Sequence, residues 1–177
     1  NINVTLESGS YGGGLIGQVT NSLAGGLIID NVDVNLNKNN GIDISGEQYI
    51  GGLIGYLCNK SVGTIKITNS STYGSIMSSG KYTGGLIGNS TGSLSGIITI
   101  DRASTDVTVI SSAGYVGGLI GYANYNNISN TSSVGNVEGI NYVGGLIGEL
   151  ANSNISNSYS YNYLTDYNEN TGAMFGK

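Results

Sequence analysis

The stretch Tyr115-Val-Gly-Gly-Leu-Ile-Gly121 decides the fold, because the chain repeats it from one end to the other. A degenerate last copy carries Met174 at the Leu position and Phe175 at the Ile position. Successive Leu positions lie 38, 33, 33, 27 and 28 residues apart. A unit of this length, repeated several times, predicts structural repeats that stack on one another. The copies span residues 11–17, 49–55, 82–88, 115–121, 142–148 and 171–176.

Aliphatic and small polar residues alternate between the motif copies, as in Val32, Val34 and Leu36, or Ile65 and Ile67. This period of two is typical of half-buried strands, and no window carries a helical apolar stripe. A unit of 27 residues with three strand-like runs fits one coil of a three-sided solenoid. We therefore predict an all-β single domain over residues 1–177, a right-handed parallel β-solenoid (β-helix) of about five to six coils. The longer units would loop their extra residues out at a corner.

The two aliphatic positions of the motif predict two rows that run along the stack. Alternation places the Leu row inside, as a core ladder. The Ile row has two alternatives: a bulge at the glycine pair turns it inward, and otherwise it forms an exposed contact stripe. The Leu row is Leu15, Leu53, Leu86, Leu119, Leu146 and Met174, and the Ile row is Ile16, Ile54, Ile87, Ile120, Ile147 and Phe175.

The composition argues against several partners. A net charge of −5 with six Lys and Arg residues lacks the basic footprint that nucleic acid or an anionic membrane surface requires. No apolar run in the sequence, including the one that contains Ala24 to Ile29, is long enough to insert across a bilayer. The chain opens at Asn1 without Met, so we expect it to be processed or cut from something larger.

Few side chains are available for chemistry. The chain has no His and one cysteine, Cys58, which argues against nucleophilic catalysis, zinc sites and an internal disulfide. The remaining carboxylates are Asp101 and Asp106 around Arg102, Asp43 with Glu47, and Asp30 with Asp33 as a weak cation candidate. A salt bridge explains Asp101 and Arg102, and a solvated strand explains the last pair. We predict no catalysis, no metal and no cofactor.

Two polar or aromatic residue types suggest ladders. Asn at equivalent turn positions tolerates left-handed backbone and can stack into amide rows. Tyr122, Tyr125, Tyr159, Tyr161 and Tyr163 form a cluster that suits glycan stacking, although a ladder at a corner explains it equally well.

The segments YVGGLIGYA from Tyr115 and NISNTSSVGNV from Asn127 resemble the GLUG-motif family, whose core is Gly-Leu-any-Gly followed by a polar strand. The resemblance covers essentially the whole chain and implies a large bacterial surface or secreted polypeptide. Such proteins include adhesin-like proteins and the non-catalytic region of immunoglobulin-A-cleaving peptidases. Departures are Gly12, the insertions of the longer units and the Met-Phe ending. The core occurs at residues 14–17, 52–55, 85–88, 118–121 and 145–148.

The resemblance therefore implies an extracellular or cell-surface location and a structural or adhesive segment without catalysis. The main alternative is a self-assembling filament or sheath subunit that polymerises head to tail through exposed coil ends. A third alternative is a glycan-binding module. The expected partners are further copies of the chain, a host or matrix protein, or a glycan.

Overall fold

A computed structural model of the chain describes residues 4–5, 11–20, 26–36 and 44–177. These residues form twenty-one β-strands, and none of them lies in a helix. The strands are β1 (Val4–Thr5), β2 (Tyr11–Gly13), β3 (Ile16–Thr20), β4 (Leu27–Asp30), β5 (Asp33–Asn35), β6 (Ile44–Gly46), β7 (Tyr49–Gly51), β8 (Ile54–Cys58), β9 (Ile65–Thr68), β10 (Ser71–Ser78), β11 (Tyr82–Gly84), β12 (Ile87–Thr91), β13 (Ile98–Asp101), β14 (Ser104–Ser111), β15 (Gly114–Gly117), β16 (Ile120–Asn124), β17 (Asn126–Ser129), β18 (Ser132–Gly144), β19 (Ile147–Ala151), β20 (Asn154–Ser156) and β21 (Tyr159–Gly172).

The strands form three sheets, named A, B and C, in which the paired strands run parallel. Sheet B has the order β19-β16-β12-β8-β3, and sheet C has the order β20-β17-β13-β9-β4. Sheet A curls back on itself, because the long strand β18 pairs with β14 through its first part and with β15 through its last part. Each pairing joins one coil to the next along the stack. The predicted all-β parallel solenoid is confirmed, and its right-handed sense stays a prediction.

The motif copies stack in register. Ile54 pairs with Ile16 on one side and with Ile87 on the other, and Ile120 pairs with Ile87 and Ile147. A further bridge joins Ile147 to Phe175, so the degenerate sixth copy continues the stack. The spacings seen in the sequence are therefore the lengths of successive coils.

Most of the extra residues of the longer units leave the coil at the corner between sheets B and C. Strands β12 and β13 are separated by residues 92–97, whereas their partners β16 and β17 are separated by Tyr125 alone. Residues 59–64 occupy the same corner one coil earlier. The first unit has a second insertion between β5 and β6, and these two strands pair with the two halves of β10. Residues 37–43 of this insertion lie outside the described part of the chain.

The motif turns the corner between sheets A and B at its Gly-Leu step. The N–H of Leu53 and the N–H of Ile54 both donate to the carbonyl oxygen of Leu86, at 2.9 and 3.0 Å. This bend breaks the alternation of side chains that a regular strand imposes, so two consecutive side chains point inward. A Cβ on Gly51 would lie 2.1 Å from the Ile54 carbonyl oxygen, which explains why the corner needs glycine there. The shared acceptor recurs at each of the other copies, on Leu53, Leu119, Leu146 and Met174.

Both motif rows consequently fill the core. Leu53, Leu86, Leu119 and Leu146 are fully buried, and so are Ile54, Ile87, Ile120 and Ile147. Ile16, Met174 and Phe175 are partly buried and pack against the same core. The exposed stripe considered for the Ile row is therefore wrong, because the bend turns that row inward.

Leu15 is the exception in the Leu row, with 47 % of its surface exposed. It stands in the first coil, where Leu53 stacks on one side and no described Leu of the motif follows on the other. Its assignment to the buried ladder is corrected: the end of the row is not enclosed.

Buried hydroxyl groups cross the interior from sheet A to the motif corner. Thr72 Oγ1 donates to the Gly85 carbonyl at 2.7 Å, and Thr105 Oγ1 donates to the Gly118 carbonyl at 2.8 Å. In the next coil Asn162 Nδ2 instead donates to the Gly145 carbonyl at 2.6 Å. These bonds satisfy carbonyl groups at the bend and hold opposite walls of the coil together.

Candidate functional site: a stacked tyrosine ladder and an exposed tyrosine row

The motif tyrosines form a ladder along the stack. In-register parallel strands lie about 4.8 Å apart, so equivalent rings come into stacking contact. The ring centroids of Tyr11 and Tyr49 are 5.1 Å apart, those of Tyr49 and Tyr82 are 5.2 Å apart, and those of Tyr82 and Tyr115 are 5.0 Å apart. Tyr142 continues the ladder at 4.8 Å from Tyr115. The ring faces of this ladder cover one another.

Neighbouring side chains close the ladder further. Tyr56 packs against Tyr49 edge-on, and its pKa is raised by burial and by a hydrogen bond with Cys58. Lys81 Nζ lies 5.3 and 5.2 Å from the ring centroids of Tyr82 and Tyr115, within reach of a cation–π interaction. Cys58 itself is buried. This environment assigns the ladder to packing between coils.

The corner between sheets C and A carries the expected row of left-handed residues. The residue after each sheet C strand has a positive φ, between 47° and 57°. Asn supplies it in four coils, because Asn tolerates this conformation better than most residues. Arg102 supplies it in the third coil. The row is Asn31, Asn69, Arg102, Asn130 and Asn157.

The carboxylates at this corner bind side chains of the next coil. Asp30 Oδ1 accepts hydrogen bonds from Thr68 Oγ1 at 2.6 Å and from Asn69 Nδ2 at 2.8 Å. Asp101 Oδ1 accepts from Ser129 Oγ at 2.8 Å and from Asn130 Nδ2 at 2.7 Å. Bonds to the charged form lower the pKa of both carboxyl groups.

These contacts explain the carboxylates considered for chemistry. The Asp101 carboxylate also forms a 2.7 Å ion pair with Arg102, and the Asp33 carboxylate accepts a bond from the Ser71 hydroxyl. Asp43 lies outside the described residues, so its pairing with Glu47 stays a prediction. Among the described residues no group of three His, Cys, Asp or Glu side chains could hold a metal ion.

A second set of tyrosines is exposed on β21. Tyr159, Tyr161 and Tyr163 are 60, 81 and 83 % exposed, because alternation turns them outward while Asn162 and Leu164 point inward. None of the ring–ring contacts found among the described residues involves these three side chains. Their register partners in β18 are not aromatic; they are Ser132, Val134 and Asn136. In the described coils this exposed row therefore stacks on no other aromatic ring.

A groove of about 340 Å³ lies within the exposed row. Its walls and floor are Tyr161, Tyr163, Val134, Gly135 and Asn162. Val134 is 37 % exposed, so the floor presents apolar surface to solvent. An open groove between two exposed aromatic rings is a surface that can receive a ligand.

The structure separates the five tyrosines that the sequence grouped together. Tyr122 packs edge-on against the ladder, with its ring centroid 5.7 Å from that of Tyr82. Tyr125 forms the tight corner between sheets B and C, with a positive φ of 54°. Only Tyr159, Tyr161 and Tyr163 share a surface.

Sequence reasoning missed Tyr167, which is 66 % exposed further along β21 and donates to Glu138 Oε1 at 2.8 Å. Its even spacing from Tyr163 in a strand-like run is the signal that could have indicated it.

Comparison with protein-family models, with curated proteins and with solved structures finds no match for this chain. In the described part of the chain no helix is long and apolar enough to cross a membrane.

Proposed function

We propose that this chain is a non-catalytic structural segment, a β-solenoid spacer or adhesive scaffold within an extracellular surface protein. The observation that carries the proposal is that its repeated side chains bind the equivalent side chains of the next coil. The tyrosine ladder and the two aliphatic rows do so, and at the Asn corner Arg102 contacts Asn69 of the neighbouring coil. The resemblance to the GLUG-motif family supports the surface location.

The chemistry of the carboxylates also supports a structural role. Side chains of the adjacent coil donate hydrogen bonds to Asp30, Asp33 and Asp101, and these bonds hold neighbouring coils together. A hydrolase of this architecture would need two carboxylates facing a shared cleft. Asp30 and Asp101 instead lie along an outer corner, and Asp33 lies on the outward face of sheet A.

The test is the shape and assembly state of the purified chain. Five to six coils at about 4.8 Å each give a rod segment of about 25 to 30 Å along its axis. Small-angle X-ray scattering and electron microscopy should show a monomer of that dimension. Polymers of the purified chain would overturn the spacer in favour of a subunit that assembles.

A filament or sheath subunit is the second candidate. It is supported by the last coil, where the N–H groups of Leu146 and Ile147 still share the Met174 carbonyl, as in the inner coils. At the other end Leu15 is 47 % exposed. A second copy whose Leu15 stacks on Met174 would continue both aliphatic rows.

Leu15→Glu separates the two candidates. In a filament the new charge would lie between stacked coils, so polymers seen by electron microscopy should disappear. In a spacer the variant should keep the monomeric rod, because this side chain is already half exposed. Polymers that persist in Leu15→Glu would exclude assembly through this contact.

A further inference from the structure

We infer that the groove on β21 binds a neutral, linear polysaccharide, with Tyr161 and Tyr163 stacking against sugar rings. This binding site goes beyond the structural role, and either can hold without the other. Four properties of the exposed row support this binding: its exposure, its spacing, its floor and its charge.

The exposed tyrosines make no ring–ring contact with the described coils. In the ladder every motif ring from Tyr11 to Tyr142 stacks on another ring at 4.8–5.2 Å. The register partners of Tyr161 and Tyr163 are Val134 and Asn136, and more than four fifths of the surface of each tyrosine is exposed to solvent. Large exposed aromatic side chains without a packing role mark interaction surfaces.

The rings are spaced along a line. Alternate residues of a strand lie about 6.6 to 6.8 Å apart, so Tyr159, Tyr161 and Tyr163 extend over about 13 Å. A rigid row of this kind matches an extended chain ligand better than a compact one. Ring faces accept the apolar C–H faces of sugars, and the phenol hydroxyls can donate and accept hydrogen bonds.

The floor of the groove suits an amphipathic ligand. Val134 supplies apolar contact, and Gly135 lines the groove beside it. Along β18 the outward residues that flank Val134, Ser132 and Asn136, are polar and uncharged. Sugars present this mixture of apolar faces and hydroxyl edges.

The charge around the groove favours a neutral ligand. Strands β18 and β21 contain no Lys or Arg, so an anionic glycan would find no cationic partner there. The Glu138 carboxylate accepts the Tyr167 hydroxyl beyond the groove, and Asp106 lies one strand beyond Val134. Neither carboxylate is among the residues that line the groove, which disfavours a cationic ligand.

Affinity electrophoresis of the full chain tests the inference. The gels contain one soluble polysaccharide each: mixed-linkage β-glucan, xylan, mannan or galactan as neutral probes, and alginate as an anionic probe. We expect at least one neutral polymer to retard the chain. Tyr161→Ala and Tyr163→Ala should each weaken that retardation about tenfold, and Tyr161→Phe should keep most of it, because the ring remains.

Tyr73→Ala is the matched control. Tyr73 is 44 % exposed on the outward face of sheet A and shares a register row with Tyr161, three strands or about 14 Å away. The control should bind like the wild type, and circular dichroism should show that all variants keep their strands.

The inference is overturned if no neutral polysaccharide retards the wild type, or if both alanine variants bind as well as it does. Retardation by alginate alone, or competition by choline chloride, would assign the groove to a charged ligand and equally overturn it. A monomeric rod that binds no polysaccharide would retain the structural role and lose this site.

Discussion

Arg102 Nε donates a 2.7 Å hydrogen bond to Oδ1 of Asn69, one coil away. Arg102 thereby takes the place of an Asn in the left-handed corner row and still contacts the neighbouring member of that row. Asn69 and Asn130 reach the adjacent coil through Asp30 and Asp101, so these members of the row combine tolerance of positive φ with a polar group that contacts the next coil.

Substitution of Arg102 separates these properties. Arg102→Asn should be nearly neutral, because Asn tolerates the φ of 50° and restores the row. Arg102→Val should lower the free energy of unfolding by about 1–2 kcal/mol, because a β-branched residue is strained at positive φ. Urea denaturation followed by circular dichroism measures both changes. Equal destabilisation by Asn and Val would show that the guanidinium group, and not the backbone conformation, stabilises the corner.

The two ends of the Leu row should respond differently to truncation. Leu86→Ala removes a fully buried side chain and should cost about 2–5 kcal/mol of unfolding free energy. Leu15→Ala removes a side chain that is 47 % exposed and should cost about 1 kcal/mol or less. Thermal and urea unfolding of both variants checks the difference. A loss at Leu15 as large as that at Leu86 would mean that the first coil is enclosed.

The tyrosine ladder should contribute to stability, whereas the exposed row should not. Tyr82→Ala removes stacking with Tyr49 and Tyr115, and aromatic pairs contribute about 0.5–1.5 kcal/mol each beyond buried area. We expect a loss of about 2 kcal/mol or more. Tyr161→Ala should change stability by less than about 0.5 kcal/mol. Tyr82→Phe is the control, since it keeps the ring; a loss equal to that of Tyr82→Ala would point to the hydroxyl instead.

Acid should weaken the stack through the corner carboxylates. Hydrogen bonds lower the folded-state pKa of Asp30 and Asp101 below the ordinary value of 3.8. Their stabilising contribution is therefore complete above the unfolded-state pKa and is lost as the pH falls through the lowered folded-state pKa. Urea midpoints measured between pH 7 and pH 2 should fall below about pH 4. The double variant Asp30→Asn/Asp101→Asn should show a flatter acid limb; an unchanged limb would assign acid sensitivity to other carboxylates.

The sequence was sufficient to predict the stacking, because the spacing of the Leu positions equals the pairing register. Ile16 pairs with Ile54, and Ile120 pairs with Ile147, at the same intervals that separate the Leu positions of those copies. Period-two alternation also placed Val34 and Ile67 correctly in the core. These properties are local or repeated, so they are visible without coordinates.

The inward turn of the Ile row could not be decided from alternation. It depends on a bend at which Leu53 and Ile54 share one carbonyl acceptor of the next coil. Alternation also could not indicate that Asn162, instead of a hydroxyl side chain of sheet A, donates to the Gly145 carbonyl. This difference coincides with a segment that is one residue shorter between Ser133 and Gly145 than between Thr105 and Gly118.

The tyrosine grouping failed for a related reason. Tyr122 and Tyr125 share their residue type with the tyrosines of β21. Tyr122, however, lies in sheet B, and Tyr125 lies at the corner between sheets B and C. A residue type alone does not show which wall of the coil it occupies. The distinction between laddered and exposed rings required the register partners of β21.

The corner between sheets B and C joins its flanking strands through Tyr125 in one coil and through residues 92–97 in another, with the pairing of those strands preserved. Length variation there is thus uncoupled from the core. Successive coils place such segments on the same side of the molecule, so peptides grafted at this corner would be displayed in a single file at one-coil intervals. The scaffold can diversify its outer edge without redesign of its interior.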